Sequence, residues 1–167
     1  MFDRARKCFW GGVRNIITRE SGKRRKMSCT DRALSVIKKA KTSFICSVGE
    51  DGFPYTKAML PPREFNEELS AFYFTTNTSS LRVEQYRKNP KASIYFYDAR
   101  FFIGVLLLGE MEVLTDPASK ERIWESGDTL YYPKGVTDPD YCVLRFTARK
   151  GRIYEKFGSK DFEIESP

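Results

Sequence analysis

The segment FYFTTNTSSLRVEQ, residues 72–85, gathers the side chains with the most evident chemistry. Phe72, Tyr73 and Phe74 favour a strand. Thr75 to Ser80 are small polar residues that suit a turn and an N-cap. Leu81, Val83 and Tyr86 then begin a helical spacing. A helix start exposes unpaired N–H groups and the positive end of its dipole. Hydroxyl groups and Arg82 collected at that point suit a phosphate group on a ligand. No catalytic triad or metal motif accompanies this segment. The chain has no histidine, which removes the commonest metal ligand and the commonest acid–base group. Cys8, Cys29, Cys46 and Cys142 have neither zinc-finger nor redox spacing. Cys46 and Cys142 sit in strand-like runs and read as core residues.

The elements that position these groups belong to one domain. The chain has 167 residues, of which 41% are hydrophobic and 14% aromatic, enough for a full core. No run approaches the ~20 apolar residues of a membrane span. The N-terminus lacks a secretory pattern, so a cytoplasmic location is expected. The net charge of +7 is unevenly placed. Residues 1–26 hold nine of the 29 basic side chains and two of the 22 acidic ones, which leaves a neutral body. That leader has two readings. It is an arm for nucleic acid or an anionic surface, or it is the product of a wrongly assigned start. The second follows from Gly22–Lys26 (GKRRK) before Met27, the kind of string that a translated purine-rich ribosome-binding site would encode. The domain proper is expected over 27–167.

Within it, Thr30 suits an N-cap for an amphipathic helix carrying Ala33, Leu34, Val36, Ile37 and Ala40. Ser43–Val48 and Tyr55–Leu60 are strands around the Glu50-Asp51-Gly52 turn. Pro61-Pro62 ends the second. Ala71–Thr76 is a strand, followed by the helix of the opening segment, which Asn89-Pro90 stops. Ala92–Tyr97 and Phe101–Leu114 flank the Asp98-Ala99-Arg100 turn. Asp116-Pro117 begins a helix through about Glu125. Thr129–Tyr141 is a loop. Cys142–Thr147 and Arg152–Phe157 form a hairpin around Lys150-Gly151. Six or seven strands with short helices imply a mainly β fold, a small closed antiparallel barrel.

Four segments, FICSVGEDGFPYTKAMLPPRE, FYFTTNTSSLRVEQYRKNPKASIYFYD, GEMEVLTD and YYPKGVTDPDYCVLRF, resemble the pyridoxamine 5'-phosphate oxidase-like, FMN-binding split-barrel proteins of the short bacterial general-stress type. The resemblance spans about residues 30–157. It implies a six-stranded antiparallel split β-barrel of Greek-key topology, a homodimer, and FMN at the subunit interface. It also implies site roles. Lys57, Ala58 and Met59 run beside the isoalloxazine, with Lys57 at the flavin N1/O2 edge or at the phosphate, while Lys57 equally suits a solvated strand position. Phe74, Thr75 and Thr76 line the ring and ribityl chain. Ser79, Ser80 and Arg82 cradle the phosphate, while each serine equally suits an N-cap. Gln85 is a further contact or a surface helix residue. Trp124 covers the flavin from the second subunit or packs under the barrel. Tyr131 and Tyr132 reach the partner's site or are ordinary loop aromatics.

The chain departs from true pyridoxamine-phosphate oxidases at its end. GSKDFEIESP lacks their Arg/His substrate motif, which argues against vitamin B6 synthesis. The missing histidine argues against the haem-binding branch. Three functions follow: an FMN-dependent oxidoreductase in which the flavin carries the chemistry, a flavin-binding stress or sensor protein without turnover, and a nucleic-acid-associated protein using its leader.

Overall fold

The computed structural model describes residues 27–165. The basic leader, with its nucleic-acid reading, lies outside the described residues. Among those described, eight strands join one antiparallel sheet. They are β1 (Ser43–Val48), β2 (Pro54–Met59), β3 (Glu64–Phe65), β4 (Ala71–Asn77), β5 (Lys91–Asp98), β6 (Ile103–Leu114), β7 (Tyr141–Glu155) and β8 (Gly158–Glu163). The helices are α1 (Cys29–Ile37), α2 (Leu81–Lys88) and α3 (Pro117–Arg122). None is long and apolar enough to cross a membrane.

The sheet runs β2-β1-β5-β6-β7-β4-β3, with β8 paired to β7. Two neighbours are out of chain order, β1 beside β5 and β4 beside β7. These long returns carry the Greek-key character and curl the sheet into a barrel. Its inner face is Ile45, Phe72, Phe74, Ile94, Phe96, Leu107, Leu144 and Phe146, all 2% exposed or less. Each such side chain contributes about 1.5–3 kcal/mol by leaving water. No hydrogen bonds join β2 to β4, so the barrel is split along that seam.

Helix α2 fills part of the seam. Val83 and Tyr86 turn into the core. Ser47 Oγ donates to Gln85 Oε1 at 2.6 Å, and the Tyr86 hydroxyl donates to the Cys46 carbonyl at 3.3 Å. The helix therefore ties β1 to the chain leaving β4.

Several boundaries differ from the sequence expectation. Helix α1 is capped by Ser28, not Thr30. Ser28 Oγ accepts the Asp31 N–H, and the Asp31 carboxylate accepts the Ser28 N–H, each at 3.0 Å. This reciprocal box satisfies two otherwise orphaned donors and leaves Thr30 in the first turn. Helix α3 ends at Arg122 rather than Glu125, because Ile123 turns inward to 5% exposure. The expected 142–157 hairpin is a single strand, β7, whose turn comes later at Lys156-Phe157. Gly151 is not a turn residue. The Phe162 ring of β8 lies where its side chain would stand. With β3 and β8 added, the strand count exceeds the six expected, while the split-barrel class holds. Cys142 is fully buried, as expected, and Cys46 is half-buried.

The β6–β7 register shifts at Leu108/Gly109. A Cβ at Gly109 would overlap the Thr147 backbone carbonyl, whereas one at Gly127 would meet open space. Gly109→Ala should lower stability by about 1–3 kcal/mol as an overpacked site, read as a lower urea midpoint. Gly127→Ala should leave the midpoint nearly unchanged. Equal midpoints for the two variants would refute the close-approach account.

Candidate functional site

The split seam holds a cleft of about 280 Å³. One wall is the end of β2 with the residues after it, Lys57 to Pro61 and Arg63. The opposite wall is Phe74 to Asn77 of β4, and the far side is closed by Tyr131 and Tyr132. Eight residues singled out in the sequence meet here: Lys57, Ala58, Met59, Phe74, Thr75, Thr76, Tyr131 and Tyr132. β2 is an edge strand paired only to β1, so Lys57 projects from an open edge and is exposed. It has no acidic partner among the described residues. Phe74 and Thr76 are mainly core, at 1% and 8% exposure. Tyr131 and Tyr132 line the cleft of their own chain.

The phosphate-friendly end lies where α2 begins. Met59 connects the two regions, because Arg82 Nη1 contacts its sulfur. Arg82 is half-buried and has no carboxylate partner among the described residues. Burial holds its guanidinium below the ordinary value. A desolvated cation left unpaired is costly, and no carboxylate among the described residues offsets that cost. Ser80 sits at the N-cap position but makes no capping bond, and its Oγ is buried without a partner. Buried polar atoms are rarely left unpaired. The Thr78 hydroxyl has only the weak Cys142 thiol beside it.

Ser79 is placed differently. Its backbone N–H donates to Asp140 Oδ1, and Asn77 Nδ2 donates to Asp140 Oδ2, both at 2.8 Å. These bonds, the one from Asn77 foremost, hold the Asp140 carboxyl below its usual range. Asp140 thereby fixes the 77–79 turn, and Ser79 itself points to solvent.

Two other candidates lie outside the cleft. Gln85 is neither a surface residue nor a wall of the cleft. It is 6% exposed and bound to Ser47. Trp124 packs in a small second core with Tyr132, Tyr141, Ile123 and Val143. Its ring centroid is 5.1 Å from that of Tyr141, so within one subunit it takes the packing role. Burial pushes the Tyr141 phenol up to about 12 and raises that of Tyr132 as well. Both hydroxyls stay protonated at neutral pH.

The sequence reading missed Arg63, Asp128 and Asp140. The available signal was aspartates spaced through a Gly/Pro-rich loop, which commonly cap turns, and an arginine directly after Pro61-Pro62.

The chain matches, over residues 29–155, the family model described as pyridoxamine 5'-phosphate oxidase. Comparison with curated proteins returned no match. Among solved structures, a Clostridium acetobutylicum protein described as related to general stress protein 26 is 37% identical. The alignment covers 81% of this chain and 94% of that one, with a TM-score of 0.74. General stress protein 26 from Bacillus anthracis is 15% identical, covering 80% and 97%, at a TM-score of 0.64. A haem-binding protein from Mycobacterium smegmatis is 14% identical, covering 83% and 59%, at 0.65. The last two likenesses are of fold. Taken with the split barrel and its cleft, the match over residues 29–155 means that this chain belongs to the pyridoxamine 5'-phosphate oxidase family.

Proposed function

We propose that the cleft binds FMN and that the protein is a cytoplasmic, homodimeric FMN-dependent oxidoreductase acting on a small molecule. The observation that carries this reading is Arg82, half-buried with no carboxylate partner among the described residues and two positions along the chain from the unpaired Ser80 hydroxyl. Family membership supports a flavin as the phosphorylated ligand. A haem is bound by one relative of the same fold, but a cation with free hydroxyls at a helix start is chemistry for a phosphate.

Arg82 and Ser80 would hold the phosphate, with first-turn N–H groups of α2 that lack intrahelical acceptors. Lys57 would present its ammonium to the ring, and Thr75 and Thr76 would line the chain between ring and phosphate. Phe74, Tyr131 and Tyr132 would exclude water from one side, which strengthens the electrostatic contacts inside. When bound, FMN supplies hydride and electron transfer that no side chain here provides.

The second subunit is assigned to the outer face of β1, β5, β6 and β7. Cross-strand rows there are Phe44–Tyr95–Leu106 and Cys46–Ser93–Leu108, with Tyr97–Gly104–Tyr154 beyond them. Phe44 and Tyr97 are 38% exposed and Leu108 is 42% exposed. Among the described residues no helix covers this apolar face, and it borders a groove of about 1100 Å³. A contiguous apolar surface of this kind marks an interaction site, and a two-fold dimer buries the same face on both copies. The Phe44 row begins at Ala58 on β2, which also lines the cleft, so the face reaches the cleft.

Purified protein titrated with FMN should quench flavin fluorescence at one site per chain. Arg82→Ala should weaken binding about 10- to 100-fold, the value of a hydrogen bond to a charged group. Wild-type affinity in that variant would sink the phosphate assignment. For the dimer, Leu108→Lys and Phe44→Glu should each halve the mass measured by sedimentation. Two variants that remain dimeric would move the interface elsewhere.

A further inference from the structure

We propose that Arg63 is a positioning residue that holds the Tyr131–Tyr132 wall over the cleft, a role that rests on the cleft being the ligand site. Arg63 follows the rigid Pro61-Pro62 pair, and its backbone N–H donates to the Tyr73 carbonyl at 2.8 Å. Its root is therefore fixed to β4. Its guanidinium then spans to the carboxylates of Glu125 and Asp128. The two partners are unequal. The Glu125 side chain is 62% exposed and that of Asp128 only 3%. An exposed pair contributes little. A buried carboxylate depends on its cation, and among the described residues Arg63 is the only cation paired with Asp128.

Asp128 is also the hub of the wall. Its Oδ2 accepts the Glu125 N–H at 3.1 Å. Its backbone carbonyl accepts the N–H groups of both Tyr131 and Tyr132, each at 2.9 Å. Tyr132 is further held by its ring against Tyr141, with centroids 4.8 Å apart. Tyr131 has no such support. It is 66% exposed, and its side chain makes no hydrogen bond or ring contact among the described residues. Its place at the cleft is set by its backbone alone, through Asp128 and so through Arg63.

Arg63 also lines the cleft, so direct contact with a bound anion is the competing role. Asp128→Asn separates the two. It leaves the Arg63 guanidinium in the cleft and freer than before, so a ligand-contacting arginine would bind FMN as well or better. A positioning arginine would lose its hold on the wall.

The test uses Arg63→Ala, Asp128→Asn and Arg63→Lys in the full chain, with two readouts. Amide exchange without FMN should quicken at least 10-fold at Tyr131 and Tyr132 in the first two variants. Exchange at the β4–β7 amides should stay at the wild-type rate. Arg63→Lys keeps the charge and loses the fork, and it should fall between. It serves as the reading if the harsher variants do not fold. FMN affinity should fall about 10-fold in both Arg63→Ala and Asp128→Asn. Unchanged exchange at Tyr131 and Tyr132 in any folded variant overturns the proposal. So does an Asp128→Asn protein that binds FMN like wild type while Arg63→Ala does not. The exchange arm contains no flavin, so it tests the hold of Arg63 on the wall even where FMN fails to bind.

Discussion

The rest of the structure depends on a seam that the sheet cannot close. β2 stands at one end of the hydrogen-bonded path, and at the other the two-residue β3 pairs β4 only at Phe72 and Tyr73, so the later residues of β4 face β2 across the cleft without a strand between them. Two facing edges with unpaired backbone groups are a liability unless something is placed between them. Here α2 occupies part of the gap, anchored by Gln85 to Ser47 and by Tyr86 to the Cys46 carbonyl. What α2 leaves open is the cleft. The site is thus the remainder of an incomplete closure, and its two walls come from strands that never touch.

Charge at the seam is arranged in two ways that do not compete. Arg63 is neutralised by two carboxylates, whereas Lys57 and Arg82 have no acidic partner among the described residues. Arg63 supports the wall, Lys57 lines the cleft, and Arg82 lies half-buried against the Met59 sulfur. Asp140 is close in sequence to the wall, but its charge is spent on Asn77 and Ser79. It holds the turn without cancelling Arg82.

The sequence made the local features legible. Alternation located β1, β2 and β4 to within a residue or two, and Asp116 caps α3 through the Ser119 N–H as its Asp-Pro pair implied. The cleft residues on β2 and β4 were legible because the family pattern falls on them directly. Long-range packing was not legible. Gly151 looked like a turn, since nothing local reveals that the Phe162 ring will cover it. Gln85 looked like a surface residue because its partner, Ser47, lies 38 residues away in sequence. Arg63 was silent for the same reason, with Asp128 at a separation of 65.

The pairing of β4 with β7 has a consequence for synthesis. Ala71 meets Thr147 and Asn77 meets Tyr141, so β4 leaves the ribosome long before its partner exists. At roughly 5–20 residues per second, the delay is about 4–15 s. During that interval Phe72 and Phe74, fully buried in the finished barrel, have no sheet to join on that side. Loop closure over such distances is slow and leaves apolar strands open to wrong partners. The nascent chain therefore passes through a stage in which the future cleft wall is a sticky, unpaired strand.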